Sequence, residues 1–246
     1  MNFIDIIKER ARSDKKVIIL PESMDRRVIE AAIEIEKEKI ANIVLIGRKE
    51  DILKTSEGLD ISNINFVDPY TAEITQELIE KLYELRKEKG MTLEEAERLL
   101  KEDYMYYACM LVKTGRADGV VSGACHSTSN TLRPALQIIK TKPGVKLVSS
   151  FFLMTVPNCE YGENGTFVFA DCGLEQNPDS EKLAAIAASS AESFKLLVEK
   201  EPRVAMLSHS SMGSAKHNDV DKVVEATRIA KELYPEYLID GELQLD

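Results

Sequence analysis

Short apolar runs that alternate with helix-like segments are the feature that most limits how this chain can fold. The first three runs are Val17–Leu20, Ile43–Ile46 and Ile64–Val67, and each is followed by a proline, a glycine or an Asp-Pro pair. Runs of this length bounded in this way are typical of buried strands. After Asp25, a suitable helix cap, the apolar residues recur at helical spacing. Strands alternating with helices predict parallel pairing and an α/β fold.

A turn at Lys140–Gly144 is the candidate domain boundary. It gives a first α/β domain over residues 1–144 and a second over residues 145–246. In the second, Val145–Val156 is predicted to be a central strand because its middle is too apolar for a sheet edge. Thr166–Ala170 follows closely enough to form a hairpin-like pair with it, so this domain is expected to mix strand directions.

A helix is predicted just before Asp118–Pro134, which is the most informative stretch of the sequence. Thr92 and Glu95 have the spacing of a capping box, which predicts one helix from there to about Thr114. After it, Asp118–Pro134 reads as a strand end, a loop of small and hydroxylated residues, and then a helix that Pro134 opens.

That order of strand, loop and helix N-terminus predicts an anion site. Such loops offer free main-chain N–H groups to phosphate or another oxyanion. Arg133 at the mouth of the loop carries a planar fork that pairs with phosphate oxygens. The alternative is that the hydroxyl groups only cap a helix and Arg133 is a surface charge. The residues alone leave both interpretations open.

Composition excludes several classes of function. The net charge of −10 argues against nucleic acid or an anionic membrane as the main partner. No apolar run approaches the roughly 20 residues of a membrane span. The four cysteines lack C-x-x-C spacing, which predicts free thiols in a reducing cytoplasm. Scattered cysteines and histidines predict no metal site, and the adjacent Cys125 and His126 are a weak catalytic pair. No glycine-rich dinucleotide or P-loop motif occurs.

Five segments, in order along the whole chain, resemble one family. They are Ser122–Pro134, Val156–Phe167, Phe169–Gly173, Gly213–Lys216 and Asp240–Asp246. Together they resemble the phosphate acetyltransferases, or phosphotransacetylases. The resemblance implies a two-domain α/β fold, a three-layer sandwich similar to the isocitrate and isopropylmalate dehydrogenases, with the active site in the interdomain cleft. It also implies a homodimer that moves an acetyl group between coenzyme A and phosphate, with no metal and no tightly bound cofactor.

The resemblance also implies roles for individual residues. In the family's ternary complex the thiolate of CoA attacks the carbonyl carbon of acetyl phosphate and phosphate leaves. Arg133 would hold the phosphoryl end, helped by Ser127 and Ser129. Arg86 would pair with a phosphate of CoA, the alternative being a solvated charge at a helix end. Four further candidates for substrate binding are Cys159, Asp171, Ser214 and Lys216.

One departure from the family pattern affects the expected activity. Family chains continue past the position of Asp246 and complete the first domain with a segment that holds a serine–arginine pair and an aspartate base. The resemblance therefore predicts that these 246 residues alone have little or no activity. Three alternatives are a phosphate butyryltransferase, a non-catalytic acetyl-CoA-binding regulatory domain like that of bacterial malic enzymes, and a dehydrogenase of the same broad fold.

Overall fold

The computed structural model describes residues 3–145 and 147–245. Met1, Asn2, Lys146 and Asp246 lie outside the described residues, and so do the parts of the predicted central strand and last motif that fall on them. The chain divides into two compact units, Met1–Lys140 and Thr141–Asp246. The sequence placed this division between Gly144 and Val145.

The first unit is built on a parallel four-stranded sheet with strand order β3-β2-β1-β4. Its strands are β1 (Val17–Leu20), β2 (Asn42–Ile46), β3 (Asn65–Val67) and β4 (Gly119–Val120). Strand β1 pairs in parallel with both β2 and β4, so the carboxyl ends of β1 and β4 meet at one edge of the sheet. The predicted α/β class is confirmed.

The helices of the first unit cover the faces of this sheet. They are α1 (Phe3–Ser13), α2 (Arg26–Glu38), α3 (Lys49–Thr55), α4 (Thr75–Arg86), α5 (Leu93–Glu102), α6 (Tyr104–Lys113) and α7 (Thr128–Pro134). Helix α6 is the most central of them, because its residues from Met105 to Leu111 are all buried. Leu78 and Leu82 of α4 and Leu100 of α5 belong to the same apolar cluster.

The single helix predicted from Thr92 to Thr114 is wrong. Asp103 interrupts it with φ −114° and ψ 95°, so it ends α5 and caps α6. Its Oδ1 accepts a hydrogen bond from the Met105 N–H at 3.1 Å. An aspartate whose side chain binds the main chain two residues on favours such a break over continuation of the helix. The predicted cap at Thr92 is present, since its Oγ1 accepts from the Glu95 N–H.

The second unit contains two small sheets and two long helices. Its elements are β5 (Phe151–Thr155), β6 (Thr166–Ala170), α8 (Ser180–Val198), β7 (Arg203–Leu207), α9 (Asn218–Leu233) and β8 (Leu238–Leu243). Strands β7 and β8 are parallel. Helices α8 and α9 contribute four buried alanines to the unit's apolar cluster: Ala184, Ala187, Ala226 and Ala230. Side chains this small let the two helices approach closely.

The hairpin predicted in the second unit is confirmed, but the central strand is not. Strands β5 and β6 pair antiparallel, with Phe151 opposite Ala170. Strand β5 has β6 as its one partner among the described residues, and Phe152 is 58% exposed. The apolar side chains that suggested a position at the centre of a sheet are thus partly exposed to solvent. No helix in the described part of the chain is long and apolar enough to cross a membrane.

Candidate functional site

A buried carboxylate, Glu22, organises the loop that follows β4. Glu22 comes just after β1 and is 1% exposed. Its two oxygens accept hydrogen bonds from four consecutive main-chain N–H groups, those of residues 123–126, at 2.8 to 3.0 Å. The prediction that this loop offers free N–H groups to a phosphate therefore does not hold for residues 123–126, whose N–H groups are all engaged. The carboxylate of Glu22 binds the loop in place of an external anion. The two meet because Glu22 follows β1 and the loop follows β4, and these neighbouring strands are parallel.

The ring of His126 adds a fifth contact to the same carboxylate. Its Nδ1 lies 2.7 Å from Oε1 of Glu22. Burial raises the pKa of Glu22, but the loop N–H groups and the His126 ring outweigh burial and lower that pKa to about 2. Glu22 is therefore ionised at neutral pH, and Nδ1 must be the donor in its bond with this oxygen.

Helix α7 starts at Thr128, so Pro134 ends a helix and does not open one. Ser127 caps α7, and its Oγ accepts from the Asn130 N–H at 3.3 Å. Proline cannot donate to the carbonyl four residues earlier. The chain continues as a wider π-helical segment over Ala135–Ile139. The sequence prediction failed here because proline suits a first turn, while the hydroxyl of Ser127 gave the competing and correct signal.

The predicted hydroxyl ligands lie together at the start of α7. The Oγ atoms of Ser127 and Ser129 are 3.0 Å apart, and both residues are exposed. Ser127 acts as a helix cap, as the simpler interpretation of the sequence required. Arg133 lies in the last turn of α7 and not at the mouth of a loop.

Two arginines predicted to bind substrate lie near one buried tyrosine. Burial raises the pKa of Tyr106, and the positive charges of Arg133 and Arg86 act in the opposite direction. The Tyr106 hydroxyl donates to Oε1 of Gln137 at 2.8 Å. The structure thus brings Arg86, from the end of α4, and Arg133, from α7, to one region of the first unit.

Neither guanidinium group of this pair is neutralised within the described residues. Arg133 is exposed and forms no hydrogen bond or ion pair there. Arg86 is half-buried, and its Nε is fully buried without a hydrogen-bond partner. Arg86 forms no side-chain hydrogen bond or ion pair with any described residue, and an unneutralised guanidinium group suits an anionic ligand that is not part of the chain.

Asp171, just after β6, ties the β5–β6 hairpin together. Its Oδ2 accepts from the Ser150 N–H at 2.8 Å, and its Oδ1 accepts from the Ser150 hydroxyl at 3.0 Å. The N–H groups of Gly173 and Leu174 donate to Oδ1 at 2.7 Å. Burial raises the pKa of Asp171, but these main-chain donors outweigh it and lower the pKa to about 2. The carboxylate is thus already used by the fold.

The loop after β7 is organised in a similar way. Glu242 is 3% exposed, and its Oε1 accepts from the Gly213 N–H at 2.6 Å and the Ser210 hydroxyl at 2.8 Å. These two donors lower the pKa of Glu242. The Ser214 hydroxyl accepts a main-chain N–H of the same loop. Lys216 is exposed, with no hydrogen bond or ion pair to any described residue.

Cys159 lies in the loop between β5 and β6 and is partly buried. Its Sγ is 3.9 Å from the carbonyl oxygen of Tyr161. The sequence did not single out Glu22 or Tyr106, while Glu242 lies in the motif Asp240–Asp246. Glu22 carried a usable signal, because it stands at the carboxyl end of a predicted parallel strand, where functional groups collect. Tyr106 is hidden inside an apolar run and carried none.

We expect the free energy of unfolding to fall as the pH drops from about 4.5 to about 2. Glu22 has its pKa lowered from 4.5 to about 2 and Asp171 from 3.8 to about 2. A carboxyl group with a lower pKa in the folded chain stabilises the fold above its unfolded pKa, and this stabilisation is lost as the pH falls through the folded pKa. Urea denaturation across this range measures the slope, which Glu22→Gln should reduce.

The control for this prediction is Glu57→Gln, which removes an exposed carboxylate. It should leave the pH dependence as in the unchanged chain. An equal slope for Glu22→Gln and Glu57→Gln would show that Glu22 does not carry the effect.

Comparison with known proteins gives a consistent result over the whole chain. A profile of the family described as "Phosphate acetyl/butaryl transferase" matches residues 2–246. The phosphate acetyltransferase of Acetivibrio thermocellus is 55% identical over 246 residues, which are 100% of this chain and 74% of that protein. The phosphate acetyltransferase of Thermoanaerobacterium thermosaccharolyticum is 54% identical, again over 100% of this chain and over 75% of its own length.

Solved structures agree with the sequence comparison. The EutD phosphotransacetylase from Staphylococcus aureus superposes with a TM-score of 0.87 at 40% identity, covering 98% of this chain and 72% of that one. A phosphotransacetylase from Streptococcus pyogenes gives a TM-score of 0.88 at 40% identity with the same coverage.

Proposed function

Because the chain belongs to the phosphate acetyl/butaryl transferase family, we propose that it transfers an acetyl group between coenzyme A and phosphate. The thiolate of CoA attacks the carbonyl carbon of acetyl phosphate, the carbonyl oxygen gains negative charge, and phosphate leaves. This chemistry needs cations for the phosphoryl group and a separate anchor for CoA, which brings phosphates of its own.

One observation carries the assignment to residues: two arginines without a hydrogen-bond or ion-pair partner among the described residues both act on the same buried tyrosine. Arg133 is exposed on α7, and Arg86 holds a buried, unpaired Nε at the end of α4. Both charges act on Tyr106. Two unneutralised guanidinium groups in one region suit two phosphate-bearing substrates. In the proposal Arg133 binds the phosphoryl group of acetyl phosphate, and Arg86 binds a phosphate of CoA.

The remaining parts of the proposal extend it beyond this pair of arginines. Ser127, the cap of α7, and Ser129, in its first turn, add two neighbouring hydroxyl groups to the proposed phosphoryl site of Arg133. Substrate contacts of Cys159, Asp171, Ser214 and Lys216 stay predictions, of which Lys216 has the freest side chain. The active species is proposed to be a cytoplasmic homodimer without a tightly bound cofactor, which sedimentation and a cofactor assay of the purified protein would test.

The test of the function is CoA-dependent consumption of acetyl phosphate. The chain covers 74% of the Acetivibrio enzyme, so the assay uses the chain as given and the chain followed by the remaining residues of that enzyme. We expect acetyl transfer by the second form, and a faster rate with acetyl phosphate than with butyryl phosphate. A faster rate with butyryl phosphate would favour the family's other substrate. Absence of transfer with a folded protein would contradict the proposal.

Arg86→Ala is expected to raise the KM for CoA about fivefold and to leave the KM for acetyl phosphate unchanged. A partly exposed ion pair contributes about 1 kcal/mol, which corresponds to that factor. The variant should also lose the preference for CoA over dephospho-CoA, if Arg86 binds the 3′-phosphate. Steady-state kinetics of the extended chain with both substrates measure this.

A matched control is Arg98→Ala, which removes an exposed arginine that pairs with Glu102 on α5. It should change neither KM. If Arg86→Ala keeps the full preference for CoA, Arg86 is a helix-end charge and not a CoA ligand.

A further inference from the structure

We propose that Glu22, Cys125 and His126 form a binding site for a thiophilic divalent cation, Zn²⁺ or Cd²⁺. Glu22 is distant in sequence from the adjacent Cys125 and His126, by 103 and 104 positions. In the fold, one potential ligand atom from each lies within 4.8 Å of the other two. This cluster shares no residue with the arginine pair on which the proposed function rests, and metal binding can be measured without an activity assay.

The distances are close to those of a zinc site. Sγ of Cys125 is 3.5 Å from Oε1 of Glu22 and 4.0 Å from Nδ1 of His126, and the Nδ1–Oε1 distance is 2.7 Å. Tetrahedral zinc with ordinary bond lengths separates such ligand atoms by roughly 3.3 to 3.6 Å. To admit the ion, the Nδ1–Oε1 distance must open by about 0.6 Å and the Sγ–Nδ1 distance must close by about 0.4 Å, which the exposed Cys125 and half-exposed His126 side chains can supply.

In the metal-free cluster, two hydrogen bonds from side chains converge on Oε1 of Glu22, and a cation would replace both. The Cys125 thiol donates to Oε1 of Glu22, and Nδ1–H of His126 donates to the same oxygen. On binding, bonds form from the metal to Sγ, Nδ1 and Oε1, and the S–H bond breaks with release of its proton to solvent. The neutral His126 ring changes tautomer: its Nδ1 proton goes to solvent and Nε2 takes up a proton, so the ring loses no net proton. One thiolate and one carboxylate then balance the two positive charges of the ion.

The surroundings of Glu22 suit a metal ligand. The carboxylate keeps its main-chain hydrogen bonds from residues 123–126, and ligating carboxylates are usually held by such second partners. The thiol is exposed, so an ion can reach it. Sδ of Met24 lies 3.8 Å from Sγ, and sulfur donors favour d¹⁰ cations over Mg²⁺ or Ca²⁺.

The test is a titration of the reduced, metal-free chain with Cd²⁺, followed through thiolate-to-cadmium charge-transfer absorbance, with Zn²⁺ as competitor. We expect one Cd²⁺ per chain and displacement by Zn²⁺ but not by Mg²⁺. Cys125→Ser should abolish the absorbance. His126→Gln should weaken binding by on the order of a hundredfold, because changes to second partners alone cost 10- to 100-fold in affinity. Cys159→Ser and His209→Gln are the matched controls and should bind as the unchanged chain does.

A second measurement needs no variant. Zn²⁺ should protect Cys125, but not Cys159, from alkylation in the unchanged chain, as read by peptide mass spectrometry. Absence of binding, a signal that survives Cys125→Ser or is lost with Cys159→Ser, or equal protection of both thiols would overturn the proposal.

Discussion

Replacing Arg133 with alanine is expected to lower kcat for acetyl transfer by about a hundredfold. The leaving phosphate gains negative charge as its bond to the acetyl group breaks, so a fixed cation stabilises the transition state more than the ground state. Loss of one such donor typically costs about 3 kcal/mol. The guanidinium group of Arg133 is exposed and has no partner among the described residues, so no internal ion pair competes for it.

The comparison of two substitutions separates charge from geometry. Arg133→Lys should recover part of the rate, because an ammonium group supplies the charge without the two-pronged fork. Arg133→Ala should weaken the binding of acetyl phosphate and leave the KM for CoA nearly unchanged. The measurement is steady-state kinetics of the extended chain, with Arg98→Ala as the control. A normal kcat and a normal KM for acetyl phosphate would reduce Arg133 to a surface charge.

The parts of the fold that depend on local signals could be predicted from the sequence. The apolar runs of β1, β2 and β3 fixed the α/β class, because their lengths and flanking turn residues suit buried parallel strands. Capping by Asp25 was likewise visible, since its side chain accepts a hydrogen bond from the Arg27 N–H of the helix that follows.

Contacts between distant segments decided what could not be predicted. The loop at residues 123–126 has the composition of an anion site, and it does bind an anion. That anion is Glu22, 101 positions from the start of the loop, and nothing in the loop itself distinguishes an internal carboxylate from a phosphate. Local rules also conflicted at α7, where Ser127 and Pro134 each indicate a helix start and only one can be right.

The arginines show what the resemblance added and what the structure added. From its position at a helix end, Arg86 was predicted to be no more than a solvated surface charge. The family resemblance is what predicted that it binds a phosphate of CoA. Its buried, unpaired Nε is a property of the packing around α4 and cannot be seen in the sequence. The same holds for Tyr106, which relates Arg86 to Arg133 through their common effect on its pKa.

Glu22→Ala is expected to lower the free energy of unfolding by about 3 kcal/mol and to loosen the loop that precedes α7. The substitution removes the partner of four N–H groups and of the His126 ring at once. A hydrogen bond to a charged group contributes about 1.5 to 3 kcal/mol. Because the loop is largely exposed, water replaces part of what is lost, so the total stays well below the sum of the single bonds.

Two measurements identify the cause of this loss. Urea denaturation gives the free energy of unfolding, and hydrogen exchange at residues 123–126 shows whether the loop amides lose protection. Glu22→Gln keeps the size of the side chain and one oxygen acceptor, so its effect should fall between that of the unchanged chain and that of Glu22→Ala. Glu57→Ala removes an exposed carboxylate and serves as the control. It should neither lower the free energy of unfolding nor reduce the protection of the loop amides. If exchange in the loop is unchanged while stability falls, the destabilisation comes from a cavity beside β1, and the carboxylate does not hold the loop.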